Sequence, residues 1–380
     1  MRILYVGMKY DYGKPEQGYS FEHNNFFDCL SNTGHDILYF DFMTLLQQHG
    51  RDWINRRLLE VVRAEQLDCL FAVLFTDQFD YATFREISTK TGTTTINWFC
   101  DDHWRFDNYT RKWAPCFNWS VTTAHSALAK YAGIGYSNVI KSQWACNPFQ
   151  YRKLDEPLKY EVTFVGQPHG DRREVISVLQ RAGINVQAWG NGWENGRATQ
   201  QQMIEIFNQS RINLNLTNSS VGEYPTMQIP GVVSRALRVI PFGNELKRAG
   251  KSILTKIRHS DKSAQGSSFV LEQIKGRNFE VPGCGGFLLS SPADNLEEYY
   301  QSGKEIEVFG DTAELITRVK HYLAHEDERA TIAAAGYART RREHTYLHRF
   351  ADIFTQAGLP SFTAEQLLME PQVSTVEEVG

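Results

Sequence analysis

Glu272-Gln273-Ile274-Lys275-Gly276-Arg277-Asn278-Phe279-Glu280 runs straight into Val281-Pro282-Gly283-Cys284-Gly285-Gly286-Phe287-Leu288-Leu289. Two glutamates bracket a lysine and an arginine, and a glycine cluster and a short apolar run follow. This order reads as a loop offering basic groups to phosphates, then a short helix, then a buried strand. Lys275 and Arg277 would neutralise phosphates, and Glu280 would accept hydrogen bonds from a vicinal ribose diol, as acidic residues do in dinucleotide folds. One exposed helix-end contact to an anion contributes about 0.3–1 kcal/mol. Several such groups must therefore converge, so the rest of the chain has to supply partners.

Upstream, Glu161–Gly166 is an apolar strand ending in glycine, followed by Gln167-Pro-His-Gly170-Asp171-Arg172-Arg173. Gly166 with Arg172 and Arg173 at a helix start suits a diphosphate: backbone N–H donors, a positive helix end and guanidinium forks. A surface cap is the plainer alternative. Gly190 and Trp193, in Trp189-Gly-Asn-Gly-Trp193, could bracket a nucleobase or belong to the core. Farther upstream the pattern repeats: Arg2–Gly7 is another apolar strand ending in glycine. Strand and helix signals then alternate to about residue 123, the signature of a parallel α/β sheet.

The pattern breaks around residues 143–157 and restarts, giving two α/β halves, 1–147 and 148–344. The 380 residues fit two domains. With 42% apolar and 22% charged residues the composition is that of a soluble globular protein, and the net charge of −4 marks no nucleic-acid partner. Six scattered cysteines without a CxxC read as free thiols in a reducing compartment, and the strand-like start carries no signal peptide. A cytoplasmic location is expected. No apolar run approaches the roughly 18–20 residues of a membrane span. Residues 233–262, in a basic stretch at 220–270, interleave lysine and arginine with apolar residues. They read either as a solvated insertion or as an element touching anionic lipid at the inner membrane face. Residues 361–380, with four glutamates and no lysine or arginine, read as a disordered tail.

Candidates for the opposing side lie at strand ends of the first half, where ligands of open α/β sheets bind. Asp101-Asp102-His103, with Arg105 close by, combines carboxylates with an imidazole that one of them could orient for proton transfer. An ion-pair cluster is the rival reading, and a metal site the weakest, because adjacent residues of an extended segment diverge. The loop with Gly18 and Tyr19, then Glu22 and His23, offers flexible backbone and a helix start. His125, at another strand end, is a reserve base.

At this point the residues resemble the GT-B glycosyltransferases: two Rossmann-like domains facing across a cleft, the nucleotide on the second. Glu272 and Glu280 match the E-x7-E spacing of the retaining group-1 type, and Glu280, Cys284-Gly285 and Phe287-Leu288-Leu289 match its downstream pattern. More closely, Asn97–Phe106, Val162–Gly166, Gly190–Trp193, Ser210–Asn215, Lys275–Gly286, Gly303–Glu305 and His344–Phe350 resemble the CgeB/YkvP-like members. Lys275-Gly276-Arg277 stands where group-1 enzymes usually carry Gly-Leu-Pro.

The resemblance implies transfer of a sugar from a UDP- or GDP-sugar to a glycan, lipid-linked or small-molecule acceptor. No metal or further cofactor is expected. Glu272 and Asp101–His103 would be the catalytic candidates. Gly166, Arg172, Arg173, Gly190, Trp193, Lys275, Arg277, Glu280, Gly285 and Gly286 would bind the donor; Gly18, Tyr19, Glu22, His23, Arg105 and His125 would face the acceptor. The helix after about residue 345 would cross back to the first domain. Rival functions are a nucleotide-sugar epimerase and a non-catalytic glycan-binding scaffold.

Overall fold

The computed structural model describes residues 1–217 and 273–380. Glu272 and the basic stretch at 220–270, including 233–262, lie outside the described residues.

Short runs, too short for core helices, form the strands expected of them; β6, at Val139–Lys141, is an addition that its three residues did not signal. The first sheet contains β1 (Arg2–Gly7), β2 (Asp36–Asp41), β3 (Cys69–Ala72), β4 (Thr94–Phe99), β5 (Trp119–Thr122) and β6 (Val139–Lys141). The second contains β7 (Tyr160–Val165), β8 (Val186–Trp189), β9 (Ser210–Asn215), β10 (Leu288–Ser290) and β11 (Glu307–Val308). All pairings are parallel. Both faces of such sheets are covered, which is why Ile3–Val6 and Phe164 are almost wholly inaccessible. The order of the second sheet, β11-β10-β9-β7-β8, reverses direction at β7 and β9, and a ligand-binding crevice is expected at their carboxyl ends.

The helix Tyr346–Gln356 crosses back onto the first domain. Tyr346 meets Phe26 edge-on at 5.0 Å between ring centroids, and Phe350 meets Phe71 at 5.4 Å. Its start is fixed by the backbone of Cys146, which pairs with His344 and Tyr346 at 2.9 and 3.0 Å. One apolar cluster therefore runs from the first sheet through this helix into the second domain.

Residues 361–380 are not a disordered tail. They form a helix, Ala364–Met369, and a strand, β12 (Thr375–Glu378), which lies parallel to β2 at the outer edge of the first sheet. All four side chains of β12 are exposed, so local composition resembles a solvated tail. What holds it is the backbone edge of β2, which local composition does not reveal, together with Leu367, Val379 and a Lys9–Glu378 ion pair at 2.5 Å. Removing residues 361–380 should expose that edge and forfeit about 1.5–3 kcal/mol for each large buried apolar side chain lost. A truncated chain is expected to melt several degrees lower and to aggregate on heating; an unchanged melting curve and light-scattering onset would show β12 to be dispensable.

Candidate functional site

The local sequence builds the basic turn in an unexpected way. Asn278 is fully buried and accepts the Lys275 N–H at 2.9 Å. The same carboxamide accepts from Asn215 Nδ2 at 2.9 Å and donates to Ser290 Oγ at 3.1 Å. The Lys275-Gly276-Arg277 turn is thus tied to the ends of β9 and β10. Buried polar groups of this kind fix one geometry because every member is satisfied. Replacing Asn278 with Ala would strand the Lys275 N–H and take one partner each from Asn215 and Ser290, which keep their bond to each other, costing roughly 1–3 kcal/mol. Chemical denaturation should report that loss; a variant within ~0.5 kcal/mol of wild type would remove the network from this account.

From this turn Lys275 and Arg277 face a cleft of about 380 Å³ between the domains. Lys275 Nζ donates to Gln273 Oε1 at 3.2 Å, and Gln273 in turn donates across the cleft to the Cys100 carbonyl. Arg277 Nε donates to the Val165 carbonyl at 3.3 Å, and its Nη1 pairs with Glu280. Gly166 and Arg172 line the same cleft. Arg172 is largely buried and donates to the carbonyls of Gln167 (2.9 Å) and Leu216 (2.7 Å), stapling the ends of β7 and β9. Three cationic side chains from two separate segments therefore converge at the switch point of the second sheet.

Glu22 and Asp101 line the opposite wall, and Trp104 and Trp144 join them. Burial pushes the Glu22 carboxyl up to about 7, and the charges of Asp11 and Asp101 add to the rise. Arg105 lies 4.2 Å from the Tyr109 ring centroid, and both line a side recess of about 200 Å³ with Asp11, Glu22 and Asp101. A larger hollow of about 780 Å³ adjoins Arg277 and is lined by Gly18, Tyr19 and Gly190. Gly190 has φ 141°, and a Cβ there would stand 2.3 Å from the Gly166 carbonyl oxygen, so two chain segments meet at a place that needs glycine.

Other expected residues lie elsewhere. Asp102 is buried in the first domain, accepting from Thr110 (2.5 Å) and Tyr131 (2.8 Å); burial raises its carboxyl to about 6. His103 lies outside the cleft lining; burial, then Lys275, lowers it to about 3. Burial holds His23 at about 4, with its ring stacked on Tyr19. His125 is exposed, 3.9 Å from Glu298 at the domain junction. Arg173 donates to the Gly192 carbonyl at 2.5 Å and covers the Trp193 ring, while the Trp193 indole donates to the Gly166 carbonyl at 2.8 Å; both brace the loop from outside.

Gly285 and Gly286 serve the packing. Gly285 ends the helix Arg277–Gly283 with φ 76°, and a Cβ on Gly286 would stand 2.8 Å from Asn213. Glu280 has no solvent exposure and lies beneath Gly276, whose Cβ would be 3.0 Å from Oε1.

Sequence reasoning passed over Asp11, Phe21, Trp144, Gln273 and Asn278. A glutamine and an asparagine flanking a basic turn carry no motif, Asp11 lies in an irregular loop without periodicity, and Phe21 is the first residue of the helix that follows it. A carboxyl raised from an ordinary 4.5 to about 7 favours the neutral form in the fold, so its contribution is present below 4.5 and lost as pH rises through 7. Glu22→Gln should therefore be more stable than wild type at pH 8, by roughly 1–3 kcal/mol, and equal to it near pH 4. Melting curves at both pH values decide it: a variant less stable at pH 8 contradicts the assignment.

Two parallel Rossmann-like sheets, a basic switch-point site on the second and a returning helix define a GT-B fold. Solved structures agree. The crystal structure of Anabaena Alr3699/HepE in complex with UDP-glucose superposes with a TM-score of 0.57 at 13% identity, covering 94% of this chain and 98% of that one. Sucrose-phosphate synthase from Thermosynechococcus elongatus gives 0.54 at 8% identity, covering 94% and 97%. AviGT4, a glycosyltransferase involved in Avilamycin A biosynthesis, gives 0.50 at 12%, covering 97% and 98%. A family model described as glycosyl transferase-like matches residues 172–236 and 258–355, the part that carries the basic turn. No curated protein matches the sequence. Among the described residues no helix is long and apolar enough to cross a membrane.

Proposed function

We propose that the protein is a glycosyltransferase that moves a sugar from a nucleotide-diphosphate-sugar, a UDP- or GDP-sugar, to a glycan, lipid-linked or small-molecule acceptor. The observation that carries this reading is the convergence of Arg172, Lys275 and Arg277 opposite Glu22 and Asp101. Fixed cations would stabilise the departing diphosphate in a cleft that partly excludes water, which is electrostatic preorganisation and asks for no metal ion. Glu280 would take a ribose hydroxyl through Oε1, the oxygen that Arg277 leaves open. Glu22 and Asp101 would face the acceptor hydroxyl. The fold neighbours solved with UDP and UDP-glucose support a nucleotide-sugar donor. Retention of anomeric configuration is proposed from the Glu272–Glu280 spacing, and a place among the CgeB/YkvP-like enzymes from the motif pieces Lys275–Gly286 and His344–Phe350. A cytoplasmic site of action, with 233–262 touching the inner membrane face, belongs to the same proposal.

Calorimetric titration with UDP and GDP tests the donor site. Lys275→Ala should weaken binding about 10-fold or more, the range expected when a charged hydrogen-bond partner is lost. Transfer should survive EDTA, and the product should keep the donor's anomeric configuration by NMR. An unchanged Kd in the Lys275 variant would overturn the phosphate assignment. Conversion of donor to an isomer without acceptor would favour an epimerase instead.

A further inference from the structure

One side chain bonds to both sides of the cleft. Gln273 is buried, and its Nε2 donates to the Cys100 carbonyl and, at 3.4 Å, to the Thr123 hydroxyl. Cys100 and Thr123 follow β4 and β5 of the first sheet, whereas Gln273 leads into the basic turn of the second domain. Its Oε1 accepts from Lys275 Nζ at 3.2 Å. A lysine only donates and a carbonyl only accepts, so the carboxamide can sit only one way round. The first-domain end is itself anchored. The Thr123 hydroxyl donates to the Cys100 carbonyl at 3.2 Å, and the Thr123 carbonyl accepts from Gln143 Nε2 at 3.1 Å. The Gln143 carbonyl in turn accepts from Arg349 Nε of the returning helix at 3.1 Å. Lys275 acts on imidazoles of both domains. Burial, then its charge, lowers His103 to about 3, and burial, Arg172 and then Lys275 lower His169. The ammonium therefore stands at the border between the domains.

Resting on the nucleotide-sugar reading, we propose that Gln273 is a positioning residue that couples occupancy of the phosphate site to the acceptor-side wall. It acts through Lys275, whose three N–H groups can hold a phosphate oxygen and the Gln273 carboxamide at once. A bound diphosphate fixes Lys275, Lys275 fixes the carboxamide, and the carboxamide fixes the backbone of Cys100 next to Asp101, a residue of the cleft wall. Hydrogen bonds in such a chain strengthen one another where water is excluded. The donor thereby orders the wall against which its acceptor is placed. A glutamine suits this task better than a glutamate, which would neutralise Lys275 and face the Cys100 carbonyl with a second acceptor.

Gln273→Met keeps the length of the side chain and loses both bonds. The Cys100 carbonyl keeps the Thr123 hydroxyl, so the ligand-free variant should melt within a few degrees of wild type. Wild type, Gln273→Met, Lys275→Ala and the double variant are titrated with UDP, GDP and inorganic pyrophosphate. For the ligands that wild type binds, Gln273→Met should bind about 3- to 10-fold more weakly. The double variant should bind no more than ~2-fold more weakly than Lys275→Ala alone, because without the lysine nothing is left to position. Losses that multiply contradict the proposal. Amide hydrogen exchange at saturating ligand reads the coupling itself. In wild type the ligand should slow exchange over residues 99–105 of the first domain as well as 166–173 of the second. Gln273→Met should lose the first effect and keep the second. Protection of 99–105 that persists in the variant, or is absent from wild type, overturns the coupling. Loss of both effects with a much lower ligand-free melting temperature makes the side chain structural and overturns it too. If wild type binds none of the three ligands, or Lys275→Ala binds them unchanged, the donor reading itself falls and takes this inference with it, which is a different failure.

Discussion

The aromatic contact between the returning helix and the first sheet holds the molecule in its working shape. Tyr346 and Phe350 pack against Phe26 and Phe71 in one buried cluster that continues into the second domain. Each parallel sheet gathers its functional loops at one edge, and two such edges make a cleft only when something fixes their separation. Buried aromatic pairs contribute beyond their area because their geometry is specific. Here that specificity sets the distance at which Glu22 and Asp101 face Lys275 and Arg277.

Within the cleft, structural and ligand-binding duties fall on the same atoms. Arg277 neutralises the inaccessible Glu280, and removing one partner of such a pair leaves an uncompensated buried charge, usually a loss of about 3–5 kcal/mol. Arg172 likewise staples two strand ends while lining the cleft. At Lys275 the network around Asn278 positions the backbone, and the ammonium donates to Gln273 in the cleft. Each cation of the site is therefore held by the fold as well as turned toward the cleft.

Much of this was legible in the sequence. Apolar runs ending in glycine mark β1 and β7, and the order of loop, short helix and strand after Lys275 is as the sequence suggests, with Arg277 opening the helix rather than ending the loop. The match was good where local pattern decides structure. It failed where a residue's partner is distant in sequence. Asp101 and Asp102 are neighbours, yet one lines the cleft and the other hydrogen-bonds to Tyr131 inside the domain, because consecutive side chains at a helix start diverge. Trp193 and Arg173 carried the right chemistry for a ligand but spend it on the Gly166 and Gly192 carbonyls.

The position of β12 has a consequence for how the protein is made. The outermost strand of the first sheet comes from residues 375–378, and the helix that locks the two domains comes from 346–356. During synthesis the first domain emerges early but cannot complete its sheet until the second domain has been made. The edge of β2 stays open for that interval, roughly 15–70 s at ordinary elongation rates of 5–20 residues per second. An open parallel edge is where strand pairing with other chains begins. Expression yield should thus depend on what shields that edge during synthesis, rather than on the stability of the finished fold.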